Sequence, residues 1–163
     1  MSAGRSDADT ESVRVHATCV ALGDRAALLR GPPGAGKSDL ALRFMDAPPM
    51  AGGAALVADD QTILERRNGR VMARAPDLLA GKLEVRGLGV FPAPHLAEAE
   101  LCLIVDLVGP DEIGRAIPQP LPVEHVLGAP IPVIALSPFE ASAARKLRLA
   151  LHFAPNLNDP VSF

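Results

Sequence analysis

The chain contains no tryptophan and no tyrosine, and only five phenylalanines among its 163 residues. Aromatic platforms of the kind that stack single-stranded nucleic acid are therefore scarce. Sixteen Lys and Arg are set against 19 Asp and Glu, a net charge of −3, so there is no broad basic footprint for a nucleic-acid backbone either. We expect no nucleic-acid partner. No apolar run approaches the ~18 residues of a membrane span, and residues 2–12 are polar without a signal-peptide core, so we expect a cytoplasmic protein with no membrane partner. Cysteine is limited to Cys19 and Cys102, each alone in an apolar segment with no Cys-x-x-Cys spacing and no His companion. Neither a disulfide framework nor a zinc site is expected, and both read as small buried hydrophobes. Apolar residues make up 48% of the chain, enough for one domain to bury a core without staples.

Against that background, residues 31–38 read GPPGAGKS and fit the pattern G-x-x-x-x-G-K-[ST]. An apolar run, AALL at 26–29, precedes the motif, and a helical pattern, DLALRF at 39–44, follows it. Gly31, Gly34 and Gly36 let the backbone turn tightly and aim several N–H groups at one anion, and the next helix adds its positive end. Pro32, Pro33 and Ala35 complete the loop. In that geometry Lys37 reaches the β- and γ-phosphates of a nucleotide, and the Ser38 hydroxyl ligates its Mg²⁺. A plain Gly-rich turn is the alternative, but it does not account for Lys-Ser at this spacing between a strand and a helix.

Residues 1–12 are small, polar and charged and read as a disordered extension, residues 13–153 as the domain, and 154–163 as a tail. Residues 13–22 alternate polar and apolar, then residues 26–30 follow the turn Gly23-Asp24, giving two strands that lead into the loop. A helix over 38–45 is stopped by Asp46-Ala47-Pro48-Pro49, and residues 54–58 form a buried strand ending at Asp59-Asp60. Asn68-Gly69 marks a hairpin between 61–65 and 70–75. Residues 81–90 read as a strand and loop, and 101–108 as an apolar strand. The Pro-rich stretch 109–138 suggests irregular connections, and 141–153 a closing helix with Ala144, Leu147 and Leu151 inward and Arg145, Lys146 and Arg148 mostly off that face. The fold class is α/β with a mixed sheet, in which ligands bind outside the carboxyl ends of strands.

Phosphoryl chemistry needs a carboxylate to hold Mg²⁺ or to take a proton from an attacking hydroxyl. Asp59 and Asp60 end the strand after the loop helix and are able to divide that work; the alternative is a simple strand-end turn. Asp106, in LCLIVD, is a further strand-end acid that superficially resembles the Mg²⁺-supporting acid of many nucleoside triphosphatases, but strand residues continue beyond it, so a structural role, or one supporting the site from behind, is at least as well favoured. Glu84 and Arg86 share one face of LEVRGLGV, residues 83–90, where a carboxylate suits Mg²⁺ and a guanidinium suits phosphate, although a surface ion pair has the same spacing. His16, alone in its strand, reads by itself as structural.

As an ordered set, the His16 strand, GPPGAGKS, LVADD at 56–60 and LEVRGLGV resemble the catalytic domain of the HPr kinase/phosphorylase family, over residues 13–151. The resemblance implies a P-loop kinase domain of the HPr kinase and PEP carboxykinase type. It implies an ATP- and Mg²⁺-dependent protein serine kinase acting on an HPr-type phosphocarrier of the phosphotransferase system. The family also reverses the reaction by phosphorolysis and assembles as homohexamers. Short alphaproteobacterial members begin directly at the kinase domain, and this chain is similar to them.

On matching residues, the resemblance makes His16, Lys37, Asp59, Asp60 and Arg86 catalytic, and Ser38 and Glu84 the Mg²⁺ ligands. The acid that exchanges the serine proton lies in the Asp59-Asp60 pair, with Asp60 favoured. Arg115 is matched to a further active-site arginine, with Arg145 as runner-up. Two departures stand out: Pro32-Pro33 replaces the usual Asp-Ser of the loop, and SPFEAS at 137–142 replaces the Gly- and Arg-rich loop of the reverse reaction. The kinase direction is thus the better supported. A P-loop kinase of small molecules and a non-catalytic nucleotide-binding regulatory module remain as alternatives.

Overall fold

Runs such as AALL and LVA carry no alternation, which is the pattern of strands covered on both faces. The computed structural model describes residues 11–46 and 53–154. Its elements are β1 (Ser12–Val15), β2 (Thr18–Leu22), β3 (Arg25–Arg30), α1 (Lys37–Asp46), β4 (Ala54–Ala58), β5 (Thr62–Arg67), β6 (Arg70–Arg74), β7 (Lys82–Val85), β8 (Gly89–Pro92), β9 (Ala99–Leu107), β10 (Val123–Val126), β11 (Ala129–Leu136) and α2 (Ala143–His152). Residues 1–10 of the expected extension and 155–163 of the expected tail lie outside the described residues, and Ser12 already belongs to β1.

One mixed sheet runs β1-β5-β6-β9-β3-β2-β4, with β11 and β10 joined to it through β9. The central strands bury both faces. Val20, Ala27, Leu29, Leu103 and Val105 meet Leu40 and Phe44 of α1 and Leu147 and Leu151 of α2 on one side. Cys19, Ala21, Ala26, Leu28 and Ile104 meet Leu64, Val71 and Ala73 of the β5–β6 hairpin on the other. Each fully buried Leu contributes about 2 kcal/mol by leaving water. β7 and β8 form a separate two-stranded sheet. No helix among the described residues is long and apolar enough to cross a membrane.

Three sequence-based expectations change. Residues 13–22 are two strands, not one, because β1 leaves to pair with β5 while β2 pairs with β3 and β4, and His16 sits at the break. The Pro-rich stretch 109–138 contains β10 and the eight-residue β11, parallel to β9. Pro130 and Pro132 are tolerated because they precede the β9 pairing, which starts at Val133, whose N–H goes to Pro122 O. By the period of two, both prolines lack an N–H on the side away from β10.

Arg148, the third change, is buried at 2% exposure. Its Nε and Nη2 donate to Phe44 O at 3.1 and 3.0 Å, and its guanidinium lies 5.2 Å from the Phe44 ring centroid. Phe44 O lies in the last turn of α1, where helix carbonyls as a rule lack intrahelical partners, and α2 supplies it with a charged donor. Asp106 binds Arg30 at 2.8 and 3.1 Å, and Arg30 also binds Glu124, contacts that tie the ends of β3 and β9 together.

Arg148→Met should lower stability by about 2–3 kcal/mol in urea unfolding with an unchanged denaturant slope; a loss below half of that would show that water caps α1 equally well. Burial, then the charge of Glu100, pushes the Cys102 thiol up to about 11, and burial raises Cys19 further. The folded state therefore keeps these protons after the unfolded chain has lost them, so their stabilisation is intact below pH ~9 and fades as pH rises towards 11. The urea midpoint should fall over that window, and less steeply in a Cys19→Ala, Cys102→Ala variant.

Candidate active site

β3, β4, β9 and β11 run the same way and end at one edge of the sheet, where the antiparallel β2 begins. Their continuations carry the phosphate loop, Asp59-Asp60, Gly109 and the 137–142 segment. In the loop, Gly34 and Gly36 have φ of +81° and +94°, a region that costs a side chain about 1–2 kcal/mol. Ala35 N donates to Pro32 O, and Leu40 N to Gly36 O as α1 starts. Lys37 is buried, with Nζ donating to Gly31 O at 2.7 Å and Pro32 O at 3.1 Å, which holds its charge over the cradle.

The structure separates the two adjacent acids. Asp59 is buried and accepts three hydrogen bonds: from Ser38 Oγ (2.7 Å) and Thr18 Oγ1 (3.0 Å) on Oδ1, and from Glu84 N (3.0 Å) on Oδ2. Asp60 has φ +65°, a left-handed conformation that Asp tolerates better than most residues. That turn sends its carboxylate the other way, with Oδ1 3.2 Å from His16 Nε2 and both side chains about half exposed. Thr18 ties the pair, since its hydroxyl also accepts from Asp60 N at 3.3 Å.

A cleft of about 870 Å³ opens here, within the range of small-molecule sites. The phosphate-loop wall supplies Pro33, Gly34, Gly36, Lys37 and Ser38, and the facing wall supplies His16, Asp60, Glu84 and Arg86. Pro32 and Ala35 face a neighbouring cleft instead. Glu84 belongs to β7, whereas Arg86 lies past its end in the turn, with Nη1 3.7 Å from where a Cβ on Gly34 would stand. Cations and amides thus meet carboxylates and an imidazole across one cleft.

Among the described residues no group of three or more His, Cys, Asp and Glu is arranged to hold a metal. Mg²⁺ needs less, typically one or two carboxylates plus phosphate oxygens, and the hard oxygens of Ser38, Asp59 and Glu84 fit that need. Arg115 is not brought to the cleft: it is exposed in the connection between β9 and β10, and Arg145, exposed on α2, does not line it either. The residue of this site missed from sequence is Thr18, which bonds both acids. A lone polar residue in the fully buried strand TCVAL was its only signal.

A family model described as the HPr serine kinase C-terminal domain matches residues 8–100. The chain is 32% identical to an HPr kinase/phosphorylase of Clostridium tetani over 96 residues, covering 59% of this chain and 30% of that protein. To an HPr kinase/phosphorylase of Variovorax paradoxus it is 32% identical over 132 residues, covering 74% of this chain and 40% of that protein. It therefore spans well under half the length of these relatives. In structure it is similar to the HPr(Ser) kinase/phosphatase from Coxiella burnetii, with a TM-score of 0.69, 22% identity, and coverage of 86% of this chain and 99% of the other. The solved structure bears on the fold alone. The family model spans more than half of the chain, from ahead of His16 to beyond Arg86, and on that ground the chain belongs to the HPr serine kinase C-terminal domain family.

Proposed function

We propose that the chain is the catalytic domain of a protein serine kinase that transfers the γ-phosphoryl group of ATP to a serine of an HPr-type phosphocarrier. The observation that carries this reading is the division of the acid pair, with Asp59 on the loop serine and Asp60 on His16. One carboxylate is then committed to the nucleotide side and the other is free to face an incoming hydroxyl.

In this mechanism the amides of the 31–38 loop bind the β-phosphate, and Lys37 leaves its loop carbonyls for the β and γ oxygens. Ser38 and Glu84, beside Asp59, would hold Mg²⁺, which when bound would supply charge neutralisation for the phosphates. Asp60 accepts the proton of the attacking serine hydroxyl, and His16, 3.2 Å away, orients the carboxylate. Arg86 offsets charge on the group in flight. In phosphorolysis inorganic phosphate would attack the phosphoserine phosphorus in the same cleft, forming pyrophosphate as the serine–phosphorus bond breaks, with Asp60 returning the proton to the departing serine oxygen. The kinase direction is the better supported, because SPFEAS stands in place of the family's Gly- and Arg-rich loop. A cytoplasmic homohexamer belongs to the same proposal, and Arg115 is given no part in the cleft.

The test is incubation with ATP, Mg²⁺ and an HPr-type protein, read by intact mass, followed by a chase with inorganic phosphate. A gain of one phosphoryl group on the acceptor is expected. Nucleotide binding with no transfer would overturn the reading in favour of a small-molecule kinase or a regulatory module. Asp60→Asn should abolish transfer while ATP binding persists, and full activity in that variant would remove Asp60 as the base. Thr18→Val strips Asp59 of a donor and Asp60 N of an acceptor, and should lower kcat about tenfold or more at little-changed KM for ATP. The same variant should lose about 1–3 kcal/mol of stability.

A further inference from the structure

Beside the phosphate loop lies a second cleft, of about 640 Å³, whose lining includes Pro32, Ala35, Leu107, Val108, Pro138 and Phe139. It opens where β9 and β11 end, on the far side of the loop strand β3 from Asp59-Asp60. Phe139 lines both clefts and is the wall between them. The residue is 72% exposed.

An exposed ring on a loose loop would call for no explanation, but this one is held. Arg43 of α1 donates to the carbonyl oxygens of Pro138 and Glu140, and Lys146 of α2 pairs with Glu140. The ring lies against the phosphate loop so closely that a Cβ on Gly36 would stand 3.0 Å from Cε1. The fold thus fixes an aromatic face in solvent, in a chain with few aromatics, beside an anion cradle. Packing within the domain does not account for it.

We infer that this second cleft takes the nucleobase of the phosphoryl donor, stacked on Phe139, while the triphosphate turns around that ring into the loop. The two clefts match the two ends of one molecule: an amide- and cation-lined cradle for a polyanion, and an apolar slot with a flat π-face for a heterocycle. The inference rests on the phosphate-loop reading above and adds to it the end of the donor that the loop motif leaves unspecified. Phe139 is a binding residue here, and Arg43 a positioning residue that acts through it.

The absence of tryptophan and tyrosine makes the test direct, because Phe139→Trp introduces the chain's only indole. Its emission should change on adding Mg-ATP well beyond any change that inorganic tripolyphosphate, which fills the cradle alone, produces. By calorimetry, wild type should bind ATP more tightly than tripolyphosphate. Phe139→Ala should weaken ATP binding about tenfold, leave tripolyphosphate binding unchanged, and leave thermal unfolding unchanged because the ring is exposed. Equal affinity for the two ligands in wild type, or an unaltered ATP affinity in Phe139→Ala, would overturn the inference while leaving the loop reading intact. Binding of neither ligand by wild type would overturn the loop reading and this inference together.

Discussion

A buried carboxylate is tolerated only if its lone pairs are met, and Asp59 meets that condition with donors from three separate parts of the chain. Thr18 comes from the start of β2, Ser38 from the first turn of α1, and the Glu84 amide from β7. Charge-assisted bonds to a buried anion resist loosening, because losing one donor leaves part of the charge without compensation. The hairpin strand, the loop helix and the β7–β8 ribbon are therefore held to one another at the atom where they meet. The positions of His16, Lys37, Glu84 and Arg86 around the cleft follow from that junction.

The sheet delivers these parts through β9. On one side β9 pairs along its length with β3, which feeds the phosphate loop; on the other its first residues pair with β6 and its last four with β11. This strand, paired on both sides, thus aligns the ends of β3 and β11. Arg30–Asp106, at the matched ends of β3 and β9, adds a bidentate pair at the same level. Above the strands, the two helices are joined by Arg148 on Phe44 O, so the cradle's own helix is anchored at its far end.

Much of this could be read from the residues, and the reasons for the rest are specific. The phosphate loop, the strand Ala54–Ala58 and the Asn68-Gly69 hairpin were legible because each couples a local backbone need to a residue type. The break at His16 was hidden because polar–apolar alternation continues through it, and a change of pairing partner leaves no mark in a period of two. β11 was hidden by prolines whose missing donors happen to face away from β10. Arg148 was hidden by its charge, which is satisfied by a helix end over a hundred residues away in sequence. The separation of Asp59 from Asp60 depends on one backbone angle, and Thr18 is significant only once β4 lies beside β2. Pattern reports what a segment does by itself, and these were decisions between segments.

The left-handed backbone at Asp60 carries one further consequence. Glycine would meet that conformation without cost and asparagine about as well as aspartate, so the backbone at this turn does not itself call for aspartate. Among the described residues nothing in the architecture asks for a carboxylate there; unlike Asp59, it bonds no buried donor through its side chain. Residue choice at position 60 is therefore a record of what the cleft does, and the residue choice at position 59 largely a record of how the cleft is built.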